Sequence, residues 1–222
     1  MVRRTKEDAE RTRQQIIDAA RLVFHECGVS HTTLEKIAKA AGVTRGAVYW
    51  HFANKTELFF AMREQVQLPL LDRSDALLVA DGFDNPLDGI EASMRTFFRG
   101  VDEDPAVRQT FEIMTLRCEY VGEFADVLTE LHRPGIEFVA KLEVAYQRAA
   151  ARGYLRPGLD PQALALDTWA FCHGLFKQLL ASNFCAGLLG RVGDMISFHM
   201  ALRRLPCAAA SGAASDLSAG TG

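Results

Sequence analysis

The chain lacks any cysteine pair at a chemically suggestive spacing. Cys27, Cys118, Cys172, Cys185 and Cys207 are scattered through 222 residues and odd in number. Without a CxxC pair or a disulfide-scaffold pattern they read as reduced thiols, as expected of a cytoplasmic protein. Long hydrophobic runs are missing too. The longest uncharged stretch of the folded part, Gln178 to Gly190, has 13 residues, short of the roughly 18 to 20 that cross a bilayer. The start, Met1 to Lys6, meets Arg3 and Arg4 instead of an apolar segment, so neither a membrane span nor a secretory signal is expected. Period-two runs of β-branched residues bounded by turns are absent, which argues against a sheet. No HExxH, GxSxG, P-loop or GxGxxG occurs, and no Glu-x-x precedes any of the six histidines. Catalytic residues, metal ligands and cofactors are therefore not expected.

Charge of one sign is scarce as well. The formal net charge is −3, with 49% hydrophobic and 24% charged residues, values of an ordinary globular chain of one or two domains. The charges are unevenly placed. Met1 to Phe60 holds ten Lys/Arg against seven Asp/Glu, and the remainder 15 against 21. A basic end can meet an anion, while the acidic majority excludes coating of nucleic acid along the whole length.

What is there is helical periodicity nearly everywhere, so the fold class is all-α with about nine helices. A first helix spans about Lys6 to Cys27 with Ile16, Ala20, Val23, Phe24 and Cys27 on one stripe, and Gly28 suits a left-handed cap. The second starts at Thr32, with Glu35 reaching back. Gly42 breaks it and Thr44 caps a third helix ending near Trp50. Two short helices joined by a tight Gly-containing turn have the form of a helix-turn-helix. Asn54 and Glu57 mark the start of a fourth helix, which Pro69 is expected to disturb. Further helices open at Asp84-Asn85-Pro86, Asp104-Pro105 and Leu159-Asp160-Pro161. A long one is expected from Val121 to Arg152, kinked at Pro134, and a last one from Leu188 to Arg204. The division follows: residues 1–54 an arm and helix-turn-helix domain, 55–206 a ligand-binding and dimerisation domain, 207–222 a disordered Ala/Ser/Gly tail.

The run Arg13-Gln14-Gln15-Ile16-Ile17-Asp18-Ala19-Ala20, then Phe24, Gly28, Thr32-Thr33-Leu34, Ile37-Ala38, Ala41 to Phe52, Asn54-Lys55 and Glu57-Leu58 closely resembles the DNA-binding domain of the tetracycline-repressor (TetR) family of bacterial regulators. The chemistry agrees. Thr44-Arg45-Gly46-Ala47, laid in a major groove, offers a hydroxyl, a bidentate guanine reader, a bare Cα and a methyl for thymine. The resemblance places Tyr49, His51 and Lys55 on phosphates, and Thr33 on the backbone. Arg3 and Arg4, with Lys6, form a basic arm that either reaches the DNA or merely solubilises. Val48 and Phe52 read as core; Trp50 is divided between packing and phosphate contact.

In the second part no residue carries over by motif, and faces must serve. Met94, Phe97, Phe98 and Val101; Phe111, Met114, Thr115 and Cys118; Phe138 and Leu142; and Trp169, Cys172, His173 and Phe176 supply stripes expected to converge. Such stripes are core or the wall of a pocket for a small hydrophobic effector, and Thr115 and His173 favour the pocket. His173 is otherwise a buried, hydrogen-bonded histidine, and Glu112 and Glu119 are equally open. The resemblance implies a homodimer on double-stranded operator DNA, joined through the last two helices, with Leu175, Leu179, Val192, Ile196 and His199 as candidate contacts and plain intramolecular core as the alternative for any one of them. The opening residues and Val43 to Phe52 look most like the AcrR-like branch. That implies a repressor of a multidrug efflux operon released by hydrophobic drugs. A regulator of the same fold sensing a metabolite, such as an acyl-CoA or quorum signal, is the alternative; a helical-bundle enzyme is the remote one.

Overall fold

The computed structural model describes residues 6–181 and 187–205. Arg3, Arg4 and the tail 207–222 lie outside them. The described residues form nine α-helices and two 3₁₀ turns: α1 (Lys6–Cys27), α2 (Leu34–Ala40), α3 (Arg45–His51), α4 (Lys55–Val79), α5 (Pro86–Glu103), α6 (Pro105–Leu116), α7 (Val127–Ala151), α8 (Pro161–Leu180) and α9 (Val192–Ala201). An isolated bridge, Leu155 to Arg204, is the sole β pairing among them.

Helix starts follow side-chain chemistry. Thr44, Asn54, Asn85, Asp104 and Asp160 each accept a backbone N–H of the first turn of the helix they precede, which uses donors the helix itself leaves free. At α2 the cap is Thr33, whose Oγ accepts from Lys36 N at 3.2 Å, and not Thr32. Thr32 is buried and donates to Gly28 O at 2.7 Å. Adjacent threonines have equal cap propensity, and burial decides between them. Gly28 and Gly153 stop α1 and α7 at φ of +79° and +76°, a region other residues enter only with strain.

Two helices outrun their prolines. α4 is continuous through Pro69, and α7 through Pro134. Pro69 is exposed, and beyond it Leu70 and Leu78 are buried against the body. Gly100 of α5 permits the approach, because a Cβ there would collide with Leu70. Tertiary packing thus offsets the lost helix bond. Elsewhere the helices are shorter than their periodicity predicts. Residues 121–126 form a turn around Gly122–Phe124, with Gly122 at φ +57°, before α7 begins. Cys118 lies beyond the end of α6, and the last helix opens as a 3₁₀ turn at Leu189–Arg191.

Two apolar cores run through the molecule. One joins α1, α2 and α3 to the first half of α4, to α6 and to Phe124; the other joins the end of α4 with α5, α7, α8 and α9. Phe97 and Phe176 pack against both. The head bounded at residue 54 therefore shares its core with the body across α4 and α6.

Candidate DNA-binding interface and effector body

α2 and α3 meet in a tight turn. Gly42 sits at φ +67° and Val43 N donates to Ala38 O at 3.0 Å, closing α2. Thr44 then caps α3 through Ala47 N at 3.1 Å. Val48 and Phe52, both buried, share one core with Ile16, Ile17 and Ala20 of α1. The opposite face is open: Thr33, Thr44, Arg45, Gly46, Tyr49 and Trp50 are exposed, Ala47 and His51 half-buried. Trp50 is 71% exposed, which removes packing within the subunit as its role. Its ring stands edge-on to His51 at 4.5 Å. Arg45 pairs with Glu35 of α2 and lies 5.3 Å from the Tyr49 ring, so its guanidinium is held over the start of α3.

Lys55 is placed otherwise than a phosphate clamp requires. Its side chain is 14% exposed, and Nζ pairs with Glu123 Oε1 at 3.0 Å. It also donates to Val29 O and Thr32 O at 3.1 and 3.3 Å. All three N–H groups are thereby used, tying α4 to the loop after α1 and to the turn before α7. Phe124 adds ring contacts to Phe59 at 5.3 Å and to the Lys55 ammonium at 5.5 Å.

In the body the α5, α6 and α8 stripes meet at Phe97, Phe111 and Phe176. Phe97 lies 5.8 Å from Phe111 and 5.5 Å from Phe176, and Phe111 lies 4.9 Å from Phe176. Phe98 stands edge-on to Phe97 at 5.4 Å. Val101 and Met114 are buried on the head side of this cluster, Met94, Leu142 and Cys172 on the other. Thr115 is half-buried. Phe138 and Trp169 form a separate pair at 6.2 Å, with His173 at 5.4 Å from Trp169. His173 is exposed on α8, not buried; partial burial and the cation of Lys177 still lower its pKa. Burial pushes the Cys172 thiol up to about 12 and that of Cys118 to about 11, so both stay protonated and unreactive.

The four residues Leu175, Leu179, Val192 and Ile196 are buried within the subunit, contrary to their expected place on the dimer face. α8 is apolar around much of its girth, and periodicity does not say which side looks inward. The exposed large apolar residues on α8, on α9 and just after α9 include instead Leu166, Phe198 and Leu202, the second at 72%. Ala170 and Gly174 share the α8 face with Leu166. His199 is half-buried: it stacks on Phe171 at 4.0 Å and meets Thr168 Oγ1 at 3.2 Å.

Three features escaped the sequence. Gly135 faces Trp169, where a Cβ would stand 2.8 Å from the indole. Arg203, buried, joins Asp167 and donates to Tyr146 Oη at 3.1 Å. Glu112 shares a hydrogen bond with His25 of α1 at 2.7 Å and pairs with Arg108 at 3.0 Å, while Arg108 donates to Leu179 O at 2.8 Å. That chain links head, α6 and the end of α8. An isolated His, Glu or Arg carries no signal for a partner tens of residues away.

Residues 16–62 match the model for bacterial regulatory proteins of the tetR family. The chain is 33% identical over 208 residues to the HTH-type transcriptional regulator TtgR of Pseudomonas putida, covering 92% of this chain and 97% of that one. Among solved structures it superposes on NalD, the secondary repressor of the MexAB-OprM multidrug efflux pump in Pseudomonas aeruginosa, with a TM-score of 0.78 and 33% identity over 90% of this chain and 98% of NalD. The SmeT–triclosan complex gives 0.75 and 34% over 87% and 92%; SmeT represses the multidrug efflux pump SmeDEF of Stenotrophomonas maltophilia. Among the described residues no helix is long and apolar enough to cross a membrane. With relatives of this identity matched along nearly their whole length, the chain belongs to the TetR family of bacterial transcriptional regulators.

Proposed function

We propose that the protein is a homodimeric repressor of a multidrug efflux operon, bound to a palindromic operator in the cytoplasm and released by hydrophobic, drug-sized compounds. The observation that carries this reading is an exposed α3 start on a chain matched over 87 to 90% of its length by efflux-pump repressors. Thr44, Arg45, Gly46 and Ala47 are the groups for base edges, Tyr49, Trp50, His51 and Thr33 those for phosphates. Arg3 and Arg4 would extend the contact from the arm. One seven-residue recognition helix reads too little sequence alone, since a good base contact gives only about 1 to 3 kcal/mol. Two subunits joined through Leu166, Ala170 and Gly174 of α8, Phe198 of α9 and Leu202 just after it would present two such helices to successive major grooves.

The effector region is the aromatic cluster of Phe97, Phe98, Phe111 and Phe176 with Met94, Val101, Met114, Thr115, Cys118, Phe138, Leu142, Trp169, Cys172 and His173 around it. Its rings fill one another, so an apolar ligand must displace them. A ligand that favours the displaced packing shifts the population toward heads no longer in register with DNA. The test is a gel shift on the promoter of an adjacent pump operon with a panel of pump substrates. Expected is specific retardation reversed by apolar drugs; no operator binding overturns the repressor reading, and binding that no drug reverses overturns the efflux reading alone.

A further inference from the structure

Between head and body, α1, α4 and α7 leave an open cleft of about 600 Å³, within the range of sites for small organic ligands. Phe60 and Ala61 form its apolar wall, and Arg13, Arg63 and Arg133 supply cations. Arg63 is the member that points to a ligand. It is 4% exposed, yet its hydrogen bonds go to neutral acceptors: Nε to Gln67 Oε1 at 2.6 Å and Nη2 to the carbonyl of Glu130 at 3.2 Å. Among the described residues no carboxylate stands within ion-pair distance of it, whereas Arg133 is paired with Glu130 at 3.2 Å. Burial without a direct ion pair is costly for a guanidinium. Burial lowers the Arg63 pKa; the Glu64 and Glu130 carboxylates oppose that shift from beyond ion-pair distance, and Arg133 adds repulsion. Arg13 also lacks a carboxylate partner among these residues and rests on the Phe52 ring at 5.2 Å.

We propose that this head–body cleft binds a small aromatic carboxylate, its anion paired with Arg63 and Arg133 and its ring laid on Phe60. The anion supplies the direct ion pair that Arg63 lacks, in a bidentate geometry that suits a guanidinium. The Phe60 face, already 5.9 Å from the Arg63 guanidinium carbon, takes a planar ring. Glu57, Glu64 and Glu130 line the same cleft and repel a multiply charged anion, so inorganic phosphate is disfavoured. The site is separate from the aromatic cluster of α5, α6 and α8 and does not depend on what that cluster binds.

The test is isothermal titration of the full-length protein with 2-naphthoate, its neutral analogue 2-naphthalenemethanol and inorganic phosphate at constant ionic strength. Expected is saturable binding of the naphthoate alone, at least tenfold weaker in Arg133→Gln and lost in Arg63→Met. Should Arg63→Met fail to fold, as circular dichroism would show, Arg133→Gln decides, its side chain being 65% exposed in the native protein. No saturable binding, equal binding of the alcohol or of phosphate, or an unchanged affinity in Arg133→Gln overturns the proposal.

Discussion

Arg45 opens α3 with its guanidinium already engaged by Glu35 and the Tyr49 ring. Both are exposed contacts worth little in stability, so what they confer is a fixed direction for the guanidinium. Arg45→Ala is expected to weaken operator binding by about 1 to 3 kcal/mol and to relax preference at one base pair; competition gel shifts with singly substituted operators read both. His199 makes a pH prediction. Burial, with the nearby Arg203 cation, lowers its pKa from 6.5 to about 4. The unfolded chain therefore binds the proton more readily between those values. The stability that the neutral ring confers is complete above about pH 6.5 and is lost as pH falls through about 4. Melts from pH 7 to 4.5 should show a falling Tm, and His199→Gln should flatten part of that slope.

At the scale of elements, the junction of α4 with the turn at Gly122–Phe124 is where residue chemistry becomes coupling. Lys55 gives all its donors to that junction, and its loss should loosen the joint between head and body. Lys55→Ala is expected to lower Tm while leaving the slope of log affinity against log salt unchanged, whereas a phosphate contact would reduce it by about one unit. α7 holds a second example in Gly135, against which Trp169 packs. Gly135→Ala should cost about 1 to 3 kcal/mol by overpacking, read by thermal melts together with a change in tryptophan fluorescence. The helix starts were legible because Thr44, Asn54, Asn85, Asp104 and Asp160 act on their own chain within three residues. The ends were not: whether α4 survives Pro69, and whether residues 121–126 join α7, depends on what packs alongside.

At the scale of the molecule, the charge asymmetry acquires a geometry. Arg45 lies on the face that α3 exposes and Lys55 at the joint behind it, while the acidic excess belongs to the body. If α8 and α9 form the subunit contact, Phe198 at its exposed position is the residue whose change separates subunits without disturbing the core. Phe198→Arg is expected to convert a dimer to a monomer in sedimentation and to abolish operator retardation at concentrations that saturate the wild type. Buried Leu175→Ala should instead lower Tm by removing core, about 2 to 5 kcal/mol, with dimerisation retained in the folded fraction. The sequence by itself determined that the helices exist, five of their caps and the turn that places α3, because these rest on neighbours within a few residues. Tertiary structure alone decided which side of α8 is core and which is free, that Lys55 is a strap, that Trp50 faces solvent, and that Arg63 lines a cleft without a direct ion pair. Each of those depends on groups brought together from distant parts of the chain, and a helical period carries no information about what stands opposite.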